Sequence, residues 1–269
     1  VKRKPTTSNE KHTIPAVMKT LELVQALAEG EEETTTKALS IRLGMPRTTC
    51  YRILRSLAAK DWVRPLQDGR HALSFGLLPL VRPLQRVEQV GKAVGLALEQ
   101  LAAQARMTAK VSMRDGDYAV TIARCESPQQ TSVAMRLGAS FHLVMGSSGA
   151  VLLSALDPGE IQTIVKRAPK ACWELQKPVE VQNRLKMLRA KGWCTDLGTY
   201  HRGVHAVSAP LHDAAGGVLA SMTVIGFPHE LPPERLPGIA KLLLEAACRA
   251  EAAIHRTTIR VESSRPRRG

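Results

Sequence analysis

The stretch GMPRTTCYRILRSLAAK, residues 44–60, decides how the first third of this chain folds. Gly44 suits a tight turn, and Pro46 suits the first turn of a helix, where a missing N–H costs nothing. From Arg47 to Lys60 the pattern is helical. Cys50, Ile53, Leu54 and Leu57 recur at i, i+3, i+4 and i+7 and make an apolar stripe. Thr48, Tyr51, Arg52 and Arg55 repeat that spacing on a different face. No carboxylate occurs between Arg47 and Lys60. An ordinary surface helix mixes Glu with Lys on its outer side. A helix that offers only hydroxyls and guanidiniums is suited to phosphates and base edges.

The flanking sequence extends this reading. Before it, Val17, Leu21, Val24 and Ala28 step by 4, 3 and 4 and predict a helix over 15–29, ended by Gly30. An acidic loop follows, and Thr34 to Thr36 offer caps for a second helix from Lys37 to Leu43. After it, Asp68-Gly69 between two short extended runs predicts a hairpin. Helix, helix, turn, helix, hairpin is the order of a winged helix-turn-helix, assigned to residues 14–76. Arg64 and Arg70 flank the wing turn, where they suit phosphate contacts.

Charge supports this reading weakly. The 269 residues carry 38 Lys/Arg against 24 Asp/Glu, a net charge of +14, with the excess densest at the two ends. Such a surface favours a polyanionic partner but also serves simple solubility. Residues 1–13 read as a disordered basic arm and 256–269 as a disordered basic tail. Five scattered cysteines without C-x-x-C spacing point away from a disulfide framework and a zinc ribbon, and fit a reducing cytoplasm. The first residues lack the apolar run of a secretory leader, and nowhere does an apolar run approach the ~20 residues of a membrane span, so no membrane partner is expected.

Beyond the wing, Leu77, Leu80, Leu84 and Val87 predict a linker helix over 77–94, begun or kinked at Pro83. Residues 95–255 read as α+β: helices at 96–105, 149–156, 161–167, 179–191 and 234–255 are separated by strands near Lys110–Met113, Tyr118–Ala123, Thr131–Met135, Val204–Ala209 and Val218–Ile225. Hairpins with segregated helices predict an antiparallel sheet covered by helices.

Three stretches together, residues 44–63, 137–156 (LGASFHLVMGSSGAVLLSAL) and 191–226, resemble the IclR family of bacterial transcription regulators. The resemblance spans about residues 14–255. It implies a winged helix-turn-helix, a linker helix and a C-terminal effector-binding domain of GAF/profilin-like fold. It also implies a homodimer or homotetramer on a pseudo-palindromic double-stranded DNA operator. A small metabolite would alter DNA binding or the recruitment of RNA polymerase. The recognition-helix positions are Arg47, Thr48, Thr49, Tyr51 and Arg52, with Arg55 beside them. The pocket positions are Phe141, Met145, Ser147, Ser148, Asp196 and Thr223. Ser147 and Ser148 are expected just before a helix, as caps or as holders of a ligand carboxylate. No catalytic residue, metal or cofactor is expected.

Rival readings are weaker. A hydrolase built on Ser147 or Ser148 with His142 and Asp196 lacks the Gly-x-Ser-x-Gly spacing. A metal-responsive regulator using His201 and His205 needs a helix, but Gly203 lies between them and the segment reads as a loop entering a strand. A protein that merely coats DNA has no use for ~160 further residues of α/β domain.

Overall fold

The computed structural model describes residues 13–30 and 33–263, which divide into two compact units between Gln85 and Arg86. The basic arm through residue 12, Glu31 and Glu32 of the acidic loop, and residues 264–269 of the tail lie outside the described residues.

The first unit contains α1 (Pro15–Ala28), α2 (Thr36–Arg42), α3 (Arg47–Ala58), the hairpin β1 (Val63–Pro65) and β2 (His71–Leu73), and α4 (Leu78–Val81). Thr35 caps α2 by accepting from the Ala38 N–H at 3.2 Å. Gly44, at φ +59°, makes the turn into α3 that a side chain would strain. Leu23, Ala26, Leu27, Leu39, Cys50, Leu54, Leu57 and Val63 form its core. The burial of α1 departs from the sequence pattern. Val17, Leu21 and Ala28 are exposed, and the helix buries Leu23, Ala26 and Leu27 instead. The helix is apolar on most sides, so periodicity alone did not choose between faces. β1 and β2 pair antiparallel with Val63 opposite Leu73, as the Asp-Gly turn predicts.

The linker expected at 77–94 and the helix expected from Leu96 share one element. After two short helical turns around Pro79 and Pro83, α5 runs unbroken from Gln85 to Ala105. Both prolines therefore fall before the long helix, not inside it.

The second unit holds six antiparallel strands in the order β5-β4-β3-β8-β7-β6. These are β3 (Thr108–Asp115), β4 (Tyr118–Cys125), β5 (Ser140–His142), β6 (Cys194–Leu197), β7 (His205–His212) and β8 (Val218–Gly226). The strand expected at Thr131–Met135 is absent. That segment is irregular, and the edge of β4 is taken by β5. The remaining helices are α6 (Gly146–Leu153), α7 (Pro158–Arg167), α8 (Pro178–Lys191) and α9 (Leu236–Ser263). α9 carries the chain helically through Ser263, where a disordered tail was expected from 256.

Each face of the sheet has its own core. Ala109, Val111, Val207, Ala209, Met222 and Val224 point to one side and pack with α5 and α9. The alternate positions point to the other side, where α6, α7 and α8 form a second core around Val151, Leu153, Ile164 and Leu185. Those alternate positions are largely polar: Lys110, Ser112, Ser208, Ser221 and Thr223 are all buried. Across the sheet, Lys110 pairs with Thr223 and Thr223 with Ser208, so they form one row under α6.

Candidate functional site

Two surfaces carry chemistry, one in each unit. On α3, Cys50, Leu54 and Leu57 are buried and Ile53 is half-buried. Arg47, Thr48, Tyr51, Arg52 and Arg55 are exposed, and Thr49 lies at the margin. The helix thus has the two faces its spacing predicts. Arg64 is exposed on β1 and Arg70 precedes β2. Among the described residues no ion pair occupies the guanidiniums of Arg47, Arg52, Arg55 or Arg64. Arg70 is different: its Nε lies 2.6 Å from Asp68 Oδ2. The hairpin turn therefore neutralises part of the charge expected to grip a phosphate there.

The second surface is a cavity of about 220 Å³ between α6 and the sheet. This lies below the ~300–1,000 Å³ typical of sites for drug-sized ligands, so the space suits a small metabolite. All six side chains expected around a ligand line it: Phe141, Met145, Ser147, Ser148, Asp196 and Thr223. Lys110 and Tyr200 join them, and Val133, Met135, Val204 and Ile225 make its apolar walls.

Two of the expected roles change. Ser147 and Ser148 do not precede the helix; α6 begins at Gly146, and its N-cap Met145 makes no side-chain capping bond. Both hydroxyls face the sheet instead. Ser147 Oγ is 2.8 Å from Ser208 Oγ, which is 2.8 Å from Thr223 Oγ1. Ser148 donates to Ser221 Oγ at 3.2 Å. The segment entering α6 folds closely against the helix because Gly149 has no side chain: a Cβ there would stand 2.2 Å from the Leu143 carbonyl oxygen.

Asp196 is the second change. Its Oδ2 accepts from Arg184 Nη2 at 2.8 Å, with both side chains buried. Its Oδ1 accepts from the Thr199 and Tyr200 N–H groups at 2.8 and 3.2 Å. Arg184 also donates to Gln176 Oε1, and Gln176 Nε2 donates to the Val144 carbonyl, both at 2.9 Å. Asp196 is thus the hub of a buried network joining α8, β6 and the loop before α6. It shapes the cavity wall, and its carboxylate is engaged within the protein.

Lys110 is the residue that sequence reasoning missed. It is 4 % exposed, and its Nζ stands 4.3 Å from the centre of the Phe141 ring. Burial pushes its ammonium down from the ordinary 10.5 to about 7. Burial also raises the Tyr200 phenol and lowers the His142 imidazole, in each case disfavouring the charged form. The sequence hides it, because a Lys between Ala109 and Val111 reads as the solvent-facing position of a half-buried strand.

The rival constellations do not assemble. The Val144 N–H donates to His142 Nδ1 at 3.4 Å, while both serines are engaged with Ser208 and Ser221 and Asp196 with Arg184. The Nδ1 atoms of His201 and His205 contact the Arg202 and Leu231 carbonyls respectively. Among the described residues no group of three or more His, Cys, Asp or Glu is arranged to hold a metal. Among the same residues no helix is long and apolar enough to cross a membrane.

Comparison with known proteins matches both units. Residues 16–67 match the IclR helix-turn-helix domain, and residues 84–251 match the bacterial transcriptional regulator IclR C-terminal domain. The Pca regulon regulatory protein of Pseudomonas putida is 26 % identical, over 76 % of this chain and 71 % of its own. The HTH-type transcriptional repressor AllR of Klebsiella pneumoniae is 23 % identical over 89 % of each. Among solved structures, Thermotoga maritima IclR superposes with a TM-score of 0.69 at 19 % identity, over 88 % of this chain and 98 % of that one. An IclR homologue from Microbacterium hydrocarbonoxydans complexed with 4-hydroxybenzoate gives 0.64 at 16 % identity, over 89 % and 98 %.

Proposed function

Because the chain belongs to the IclR family of bacterial transcription regulators, we propose that it binds a pseudo-palindromic operator as a homodimer or homotetramer and releases or remodels it when a small organic acid fills the α6 cavity. DNA binding by the N-terminal unit and ligand response by the C-terminal unit are properties of the family. The operator geometry, the oligomer and the acid are this chain's own questions.

The observation that carries the DNA-facing half is the outer face of α3. Thr48, Tyr51, Arg52 and Arg55 are exposed together, and no carboxylate interrupts them from Arg47 to Lys60. Arg47 and Arg52 can donate bidentately to guanine, while Thr48 and Thr49 reach a base or a phosphate. Arg64 and Arg70 on the hairpin suit the adjacent backbone. In a dimer, two such helices entering successive major grooves call for half-sites about one helical turn apart.

The cavity supports an organic acid. It is small and mostly apolar, the first turn of α6 stands on its wall, and the positive end of a helix favours an anion. The 4-hydroxybenzoate held by the Microbacterium homologue is a single-ring acid, which agrees with that scale.

The test is a selection of operators from random double-stranded DNA with the full chain, followed by anisotropy titrations with and without a panel of organic acids. The expected result is a pseudo-palindrome with half-sites about one turn apart, and at least one acid that shifts its affinity. Recovery of only unordered, salt-labile binding would remove the DNA-reading assignment. If every acid left both operator affinity and transcription unchanged at saturation, the effector assignment would fail.

A further inference from the structure

Lys110 is a buried cation for which the fold alone gives no reason. It sits within β3, opposite Thr223 on β8, in a row of small polar side chains. A mid-strand position under α6 would be filled as well by Met or Leu. Among the described residues no carboxylate pairs with its ammonium and no hydrogen bond holds it. Its polar contact is the face of the Phe141 ring. A cation–π contact offsets only part of what desolvating an ammonium costs. Lys110 nevertheless lies on the wall of the cavity that the first turn of α6 also lines. A buried amine without an anionic protein partner at a ligand-sized cavity is complementary to a negative charge the ligand brings.

We propose that Lys110 selects the ligand of this cavity, and that the ligand is a monocarboxylate with an apolar body whose carboxylate takes the Lys110 ammonium from the Phe141 ring. The claim rests on the reading of this cavity as the effector site. One carboxylate is called for because Lys110 is the one Lys or Arg among the residues lining the cavity, and Arg184 behind Asp196 is already matched. A second carboxylate would find no further Lys or Arg among the residues lining the cavity.

Binding then takes up a proton. The free ammonium titrates near neutrality, and a carboxylate beside it favours its charged form. Above about pH 7, each ligand bound therefore draws close to one proton onto Lys110; well below pH 7 the group is already charged and little proton moves. Other titratable groups surround Lys110, and most are engaged elsewhere. Asp196 on β6 pairs with Arg184 of α8, and Arg124, the cross-strand neighbour on β4, pairs with Glu126. His142 on β5 accepts from Val144 N–H, and Tyr200 and His201 belong to the loop after β6.

The experiment is calorimetry of the full chain with paired probes: benzoate and benzamide, phenylacetate and phenylacetamide, hexanoate and hexanamide. Titrations at about pH 6 and pH 8, in buffers of different ionisation enthalpy, count protons. At least one acid is expected to bind ~10-fold or more tighter than its amide, in line with a charge-assisted contact. It should take up close to one proton at pH 8 and far less at pH 6. Lys110→Met should abolish the acid–amide difference and the uptake. Lys110→Arg, charged at both pH values, should keep the preference and lose the uptake. The wild-type proton count stands even if a variant misfolds. The proposal is overturned if no acid of the panel binds better than its amide, absence of all binding included, or if wild-type protein shows no pH-dependent uptake. The effector reading fails separately: a Lys110-dependent acid that leaves operator affinity unchanged sinks that reading alone, and a neutral compound that shifts operator affinity sinks this proposal alone.

Discussion

At the scale of single residues, charge that lacks a protein partner marks both surfaces. Arg52 on α3 and Arg64 on β1 are exposed guanidiniums with no ion pair among the described residues, yet their positions assign them different work. On the proposed function, a side chain on the outer face of α3 would read base edges and one on the hairpin would touch backbone. Arg52→Ala is therefore expected to cost ~1–3 kcal/mol on the preferred operator and to relax preference at one base pair. Arg64→Ala should weaken all sequences alike and flatten the salt slope by about 1. Arg70→Ala should flatten it less, because Asp68 already offsets that charge. Anisotropy titrations over a salt series, on operator and scrambled DNA, separate these outcomes; equal losses on both DNAs for Arg52→Ala would remove it from base reading. Lys110 makes the same point inside the protein. Its folded-state value of about 7 lies below the ~10.4 of an unfolded lysine, so the unfolded chain binds more protons between those values. Stability of the ligand-free protein thus rises with pH across that window, and the cost of burying Lys110 is felt in full below it. Lys110→Met should stabilise the ligand-free protein by a few kcal/mol near pH 6, with the gain shrinking toward pH 10. Urea unfolding at both ends of the window measures it. A gain that is constant with pH would show that Lys110 is not desolvated.

At the scale of elements, the Asp196 network shows why part of the cavity was hidden from the sequence. Arg184 from α8, Asp196 from β6 and Gln176 before α8 are joined through two charged groups that are both buried. Removing one member leaves the other charge unpaired, so Asp196→Ala is expected to cost ~3–5 kcal/mol. Replacing both ends by apolar residues, Arg184→Met with Asp196→Leu, should recover part of that, since the Thr199 and Tyr200 N–H groups and Gln176 still lose a partner. Thermal or urea unfolding of the three variants checks the order, and a double variant as unstable as the single one would mean the network serves more than its own charge balance. Nothing in the sequence pairs Arg184 with Asp196, because the contact depends on how the α8–β6 hairpin folds back. The family resemblance did place Asp196 at the pocket, but not the buried arginine that engages it. The start of α6 was hidden for a related reason: Gly146-Ser147-Ser148-Gly149 looks like a loop and a cap, whereas Ser147 and Ser148 are the helical residues that meet Ser208 and Ser221 of the sheet. By contrast α3 was legible to within two residues, since it lies half in and half out of its unit and its two faces obey different chemistry. The strand expected at Thr131–Met135 had the alternation but not the edge, which 140–142 occupies. Periodicity reports which faces an element has; it does not report which neighbour reaches an edge first.

At the scale of the whole molecule, the two units carry separate cores. Leu23, Leu39, Leu54 and Val63 lie in one, while the two cores flanking the six-stranded sheet lie wholly in the other. Ligand and operator therefore occupy units that each fold around their own apolar interior, and regulation must be a coupling between them. Coupling of binding equilibria is reciprocal. If a ligand weakens operator affinity by some factor, saturating operator must weaken ligand affinity by the same factor, typically ~5–150-fold. The full chain is expected to show this equality when ligand affinity is measured with and without operator present. A fragment comprising residues 86–263 should bind the same ligand with an affinity that added operator leaves unchanged, since it retains the cavity and lacks α3. Calorimetry on both proteins makes the comparison. A factor of one in both directions in the full chain would show that ligand and DNA binding are uncoupled, and regulation would then have to act through transcription steps after operator binding.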